Sequence, residues 1–127
     1  MIEVEWADDT QEIVILRFQD KWTWQQFFDA QKKTHALVET VPDKVIYGII
    51  LPSKQQLLPP NPLFNFRKGL VNIHPRYKGS VMVGANAFSR LMLTTVLKVM
   101  SNDDLSFANS VAEAYTFIAT EREKQPQ

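Results

Sequence analysis

The side chains of this sequence that are most suited to binding chemistry lie in two stretches that follow predicted strands. One is the loop from Pro52 to Asn61, and the other is the short segment from Gly84 to Asn86. Loops of this kind lie at the edge of an open α/β sheet where ligands bind and where helix N-termini offer free N–H groups. We therefore predict contacts with an anionic group at Lys54, Asn61, Asn86 and Arg90. The two asparagines also have a simpler interpretation, because Asn is a common helix cap.

The charge distribution along the chain agrees with an anionic partner. The net charge is zero, but residues 44–100 contain eight Lys and Arg residues and no Asp or Glu. Residues 1–43 contain nine acidic and four basic residues. Because segments of a sheet protein interleave in space, this pattern predicts either one basic face or an ordinary mixed surface. A neutral chain whose bases do not alternate with exposed aromatics is not typical of a nucleic-acid-binding protein.

Signatures of catalysis and of metal binding are missing from the sequence. The chain has no cysteine, and its four glycines are too scattered for a dinucleotide fingerprint or a P-loop. Neither HExxH nor GxSxG occurs. The two histidines, His35 and His74, lie far apart, and we expect neither to be a metal ligand. We therefore predict no catalytic residue, no cofactor and no metal, and a protein that is not an enzyme.

The elements that position the candidate residues can be predicted from periodicity and capping. The segment from Lys44 to Pro52 is a long apolar run rich in β-branched residues, typical of a central strand that is covered on both faces. Thr23 followed by Gln26 forms a capping-box sequence, and Asn61 followed by Pro62 marks the start of a second helix, which is expected to run to about His74. Further strands are expected at residues 2–6, 12–18, 79–84 and 105–108, and further helices at 86–100 and from 109 or 110 onward.

The resulting order alternates strands and helices after an opening hairpin. It predicts an α/β fold with a mainly parallel sheet of four to five strands, an antiparallel opening strand and about four helices. We expect a single domain over residues 1–120 and a frayed C-terminal tail over 121–127. Without a leader pattern, a membrane-spanning run or cysteine, a soluble, cytoplasmic protein is expected.

This element order resembles the STAS superfamily, the fold of anti-sigma-factor antagonists, and in particular the STAS/SEC14-like branch of small bacterial proteins. The Trp22-Thr23-Trp24 start of the first helix and the junction Leu51-Pro52-Ser53-Lys54 carry the resemblance. The resemblance implies a regulatory module without catalysis that binds proteins and has a switch serine after the central strand. The family pattern there is Asp-Ser-Ser/Thr-Gly, and of this pattern only Ser53 is present.

Two hypotheses for the function follow from these observations. The first is a regulatory or protein-interaction module of STAS-like type. Its recognition edge would be the loop over residues 52–61 and the helix after Asn61, with partner contacts at Ser53, Lys54, Arg67 and Lys68. The second is a SEC14-like carrier of a small ligand or lipid, with a pocket lined by Tyr47, Phe64, Phe66 and Met92. The third helix is apolar around most of its circumference, which also predicts a homodimer through Leu93, Leu97 and Met100.

Overall fold

A computed structural model of the protein describes residues 1–71, 73–100 and 104–124. The element order is the predicted one, an opening strand pair followed by alternating helices and strands. The elements are β1 (Ile2–Trp6), β2 (Ile13–Phe18), α1 (Trp24–Glu39), β3 (Ile46–Leu51), α2 (Pro62–Leu70), β4 (Tyr77–Val83), α3 (Ala87–Val99), β5 (Leu105–Ala108) and α4 (Val111–Glu123).

The strands form one sheet in the order β1-β2-β3-β4-β5. β1 pairs with β2 in antiparallel fashion, and each later strand is parallel to its predecessor. The predicted α/β fold with a mainly parallel sheet, an antiparallel opening strand and four helices is therefore confirmed. Strand β3 lies at the centre, and its residues Ile46 and Ile49 are fully buried, as expected for a strand covered on both faces.

The alternation of side chains along the strands divides the core into two layers. Helix α4 covers one face of the sheet, and its buried residues pack in a layer formed by Ile13, Ile15, Tyr47, Ile49, Val81, Ala114 and Ile118. Helix α1 covers the other face, in a layer formed by Val4, Val14, Ala30, Val38, Val41 and Ile46. Helices α2 and α3 lie on the same side as α1, but a cavity separates them from part of the sheet.

Side chains fix the starts of three helices. The predicted capping box of α1 is present, since the Thr23 hydroxyl accepts from the Gln26 N–H at 3.1 Å and the Gln26 side chain accepts from the Thr23 N–H at 3.0 Å. Asn86 and Ser110 cap α3 and α4 in the same position. Helix α2 begins differently, because Asn61 is in the left-handed region, with φ of 62°, and its side chain caps nothing.

The structure corrects several predicted details. Helix α2 ends at Leu70, earlier than the predicted end near His74. Helix α4 runs to Glu123, so the segment expected to fray begins inside the helix, while residues 125–127 lie outside the described part. Helix α3 buries Leu93, which was predicted for self-association, together with Val96, whereas Phe88, Leu91 and Val99 are exposed.

Candidate functional site

A mainly apolar cavity of about 160 Å³ lies between the sheet and helices α1, α2 and α3. Its floor is the face of the sheet that carries Ile50 and Met82, and Phe66 and Leu70 of α2 close one side. On the other side, α3 contributes Leu93, Val96 and Leu97, among others. Two small residues of β4, Gly79 and Ser80, also belong to this floor.

Aromatic side chains build one wall of the cavity. Phe18, Trp22, Phe27 and Phe66 all line it. The rings meet mostly edge to face, with centroid distances of 5.0 Å between Phe18 and Trp22 and 5.5 Å between Phe27 and Phe66. Such contacts stabilise a fixed arrangement of large side chains, so this wall is rigid and presents ring edges and faces to the interior.

Two hydroxyl groups stand on the otherwise apolar floor. The Tyr77 hydroxyl and the Ser80 hydroxyl are hydrogen-bonded to each other at 2.7 Å, and both residues line the cavity. The Tyr77 ring end occupies the place that a side chain of residue 48 would need, since a Cβ built on Gly48 would be only 1.8 Å from the Tyr77 oxygen. Burial raises the pKa of Tyr77 to about 12, although the hydrogen bond from Ser80 opposes this shift. Tyr77 is therefore a neutral phenol at physiological pH.

Residues 52–61, which we call the strap, cross the mouth of the cavity between β3 and α2. Gln56 fixes the strap to the loop before α3: its amide group donates to the Gly84 carbonyl and accepts from the Asn86 N–H, both at 2.9 Å. The Trp24 indole N–H donates to the Pro60 carbonyl at 2.6 Å. Specific hydrogen bonds thus hold the strap across part of the mouth of the cavity. Gln56 was missed by the sequence analysis, because a single polar side chain in a loop carries no local signal of its distant partners.

The predicted partner- and anion-binding residues do not converge on one point. Asn86 caps α3, as its simpler interpretation held. Arg90 stacks on Phe107 of β5 at 4.9 Å, whereas Lys68 lies over Phe28 of α1 at 5.1 Å, so these two cations contact different elements. Lys54 and Arg67 are exposed. Ser53 is buried, and its hydroxyl accepts from the Gln56 N–H at 3.2 Å within the strap.

The predicted pocket residues occupy different environments. Phe66 lines the cavity, and Met92 lines a neighbouring depression beside the strap. Phe64 is exposed, and Tyr47 lies in the opposite layer below α4, because adjacent residues of a strand point to opposite faces. Of the residues predicted for self-association, Leu93 and Leu97 line the cavity inside the chain, and Met100 is half-buried. Leu93 is therefore removed from the surface, and Leu97 is partly buried.

A second polar cluster lies at the end of α1, away from the cavity. The Nε2 atoms of His35 and His74 are 3.5 Å and 2.8 Å from the same oxygen of Glu39. The cluster lowers the pKa of Glu39, chiefly through the hydrogen bond from His74, with the charges of His74, His35 and Arg76 adding to it. The spacing of His35 and Glu39, four residues apart on a helix, was a local signal that the sequence analysis overlooked.

The hydrogen bonds of this cluster favour a direct contact between His74 and Glu39 over a metal ion. The three ligand atoms lie within 4.8 Å of one another, close enough to surround an ion. However, the Arg76 N–H donates to Nδ1 of His74 at 3.0 Å, so Nδ1 carries no proton and Nε2 must carry one toward Glu39. A metal at Nε2 would displace this proton and leave the ring without any. In this geometry the cluster is a hydrogen-bonded link between α1 and the segment before β4.

Comparisons with known proteins returned no family model, no curated protein and no solved structure that matches this chain. Within residues 1–71, 73–100 and 104–124, no helix has both the length and the apolar character needed to cross a membrane.

Proposed function

We propose that this protein binds a small, mainly apolar ligand in the cavity between the sheet and helices α1 to α3. The cavity itself is the observation that supports this function. Its lining is mainly apolar and includes aromatic rings and aliphatic side chains from the sheet, the strap and three helices. Concave, mainly apolar sites with a few polar groups are typical of small-ligand binding. A small apolar ligand that enters the cavity would remove this apolar surface from water, which favours binding.

The size of the cavity limits the class of ligand. A cavity of about 150 Å³ in another protein holds benzene, so the present cavity fits a molecule of about one six-membered ring. A phospholipid is far larger and would require α2, α3 and the strap to move apart. Of the two carrier functions predicted from the sequence, binding of a small ligand is therefore favoured over transport of a whole lipid.

The proposal is tested by filling the cavity and measuring binding of toluene. Val96 lines the cavity, whereas Val99 on the same helix is 57% exposed. In the proposed function, the wild-type chain binds toluene saturably, Val96→Trp abolishes binding, and the matched control Val99→Trp leaves it intact. Ligand-observed NMR and the fluorescence of Trp22, which lies in the aromatic wall, measure binding. Absence of saturable binding to the wild type, or equal binding by both variants, would contradict the proposal.

A second candidate function is the STAS-like interaction module, with the exposed side of α2, α3 and the strap as its contact surface. This surface carries the exposed apolar residues Leu57, Leu63, Phe64, Phe88, Leu91 and Val99. The exposed bases Lys54, Arg67, Lys68, Arg90 and Lys98 accompany them. Apolar patches of this extent mark interaction sites, and the absence of Asp and Glu from residues 44–100 favours an acidic protein partner. In a homodimer through the same surface, like charges would face each other.

In this second candidate, membership of the STAS superfamily and a cytoplasmic location are part of the proposal. A switch role for Ser53 requires the strap to open, since the serine is buried and bonded to the strap backbone. The candidate predicts that Arg67→Glu with Lys68→Glu releases an acidic partner that co-purifies with the wild type, as measured by quantitative affinity mass spectrometry. Lys32→Glu with Lys33→Glu, exposed on α1, makes the same charge change elsewhere. Equal loss in both variants would show a nonspecific charge effect and contradict the assigned surface.

A further inference from the structure

The polar side chains that line the cavity differ in how many of their hydrogen-bond donors and acceptors already have a partner in the protein. The Gln56 side-chain amide donates to the Gly84 carbonyl and accepts from the Asn86 N–H. The Ser53 hydroxyl accepts from the backbone of the strap. The hydroxyls of Tyr77 and Ser80, in contrast, bond only to each other among the described residues. Two hydroxyls carry two protons, and the bond between them uses one. One O–H donor of the pair is therefore available to a ligand that enters the cavity.

The charge of the residues that line the cavity restricts the kind of ligand oxygen to which this O–H group can donate. Within the described part of the chain, the lining contains no Lys, Arg or His, and its one charged residue, Asp104, is acidic. A carboxylate that leaves water needs a cation or several hydrogen bonds to compensate for its lost solvation. A single hydroxyl pair does not provide this. A neutral oxygen, such as that of an alcohol, a phenol or a ketone, needs only one or two hydrogen bonds.

We infer that the cavity selects a neutral ligand of about one ring that carries a single hydrogen-bonding oxygen, and that Tyr77 and Ser80 contact this oxygen. The inference rests on the proposed binding function and assigns its ligand class and its specificity-determining residues. Gly48 belongs to the same site, because only a residue without a Cβ leaves the Tyr77 hydroxyl in place above β3. The aromatic wall accommodates the apolar part of the ligand.

A matched set of seven-carbon probes tests the inference: toluene, benzyl alcohol and benzoate. The three share the ring and differ only in having no oxygen, a neutral oxygen or a charged carboxylate. Dissociation constants at pH 7 are measured by ligand-observed NMR for the wild type, for Tyr77→Phe, for Ser80→Ala and for the double variant. Tyr115→Phe is the control, since Tyr115 lies on α4 and its hydroxyl contacts Asp8. Far-UV circular dichroism verifies that each variant is folded.

We expect benzoate to bind the wild type at least about tenfold more weakly than benzyl alcohol, because its charge has no compensation. The double variant should weaken benzyl alcohol by about 2- to 10-fold, the range of one hydrogen bond, and leave toluene unchanged. Each single variant retains one hydroxyl and should show a smaller loss, and Tyr115→Phe should show none. Equal affinity for benzoate, or a loss of toluene equal to that of benzyl alcohol, would overturn the inference. If toluene itself does not bind the wild type, the proposed binding function fails instead.

Discussion

Replacement of Gly48 by alanine perturbs the floor of the cavity at a defined point. Gly48 lies in the middle of β3 and pairs with Val14 and Ser80 in the neighbouring strands. An added Cβ would be 1.8 Å from the Tyr77 oxygen, 2.9 Å from the Tyr77 Cζ atom and 3.1 Å from the Ser80 oxygen. Ordinary contacts of a Cβ exceed about 3.4 Å, so the Tyr77 ring must shift and its bond to Ser80 must break or weaken.

The size of the effect can be worked out from three contributions. Overpacking of a well-filled region costs about 1–3 kcal/mol, and the loss of one hydrogen bond costs about 1 kcal/mol. Alanine in place of glycine recovers roughly 0.5–1 kcal/mol of backbone entropy. We therefore expect Gly48→Ala to lower the free energy of unfolding by about 2 kcal/mol, measured by urea titration with tryptophan fluorescence.

A double-mutant cycle identifies Tyr77 as the cause. Tyr77→Phe removes the oxygen at 1.8 Å and leaves Cζ at 2.9 Å as the nearest atom, so the substitution at Gly48 becomes less costly in this background. We expect a coupling free energy of about 1 kcal/mol or more, above the roughly 0.3–0.5 kcal/mol within which independent sites add. The same cycle with Tyr115→Phe should be additive. Additive behaviour of Gly48→Ala with Tyr77→Phe would refute the placement of Tyr77 across β3.

Two pH dependences follow from the shifted groups. Burial raises the pKa of Tyr77 from its ordinary value of 10.0 to about 12, so the stability that the neutral phenol contributes is complete below pH 10 and is lost as the pH rises toward 12. By pH 11 the free energy of unfolding should have fallen by roughly 1 kcal/mol from this cause, and Tyr77→Phe should lack this loss when urea titrations at pH 8 and pH 11 are compared. Glu39 has a pKa below its ordinary value of 4.5, so its contribution is present above that pH and is lost as the pH falls through the lowered value. Glu39→Gln should be less stable than the wild type at pH 7 and equally stable at pH 2; an unchanged difference at both pH values would show that the carboxylate does not act through His74.

The alternating elements and the strand pairing could be predicted because their signals are local. The β-branched run around Ile49, the capping box at Thr23 and the proline at position 62 each determine a nearby element. The face of α3 could not be predicted in the same way. Apolar residues surround most of that helix, so periodicity does not decide between Leu93 and Leu91 as the buried one. The Asn86 cap and the contact of Ser89 with the strap decide it, and both depend on the folded structure.

The cavity was beyond prediction for a different reason. Its volume depends on how far α2 and α3 stand from the sheet, and this distance results from contacts between segments far apart in the chain, such as Trp24 with Pro60 and Gln56 with Gly84. The same reason explains the cluster at Glu39, where His35 is a neighbour on the helix but His74 comes from 35 residues away. The four-residue spacing in the sequence indicates only the contact of His35 with Glu39, not that of His74 with Glu39.

The central strand combines the two properties that the site needs. Its residues facing α4, Tyr47 and Ile49, are large and buried in the layer below that helix. On the other face, Gly48 provides the space in which the Tyr77 hydroxyl lies beside Ser80. A side chain at position 48 would displace the Tyr77 hydroxyl and break its bond to Ser80. The coupling of Gly48 with Tyr77 therefore connects the stability of the fold to the hydroxyl pair that we assign to ligand binding.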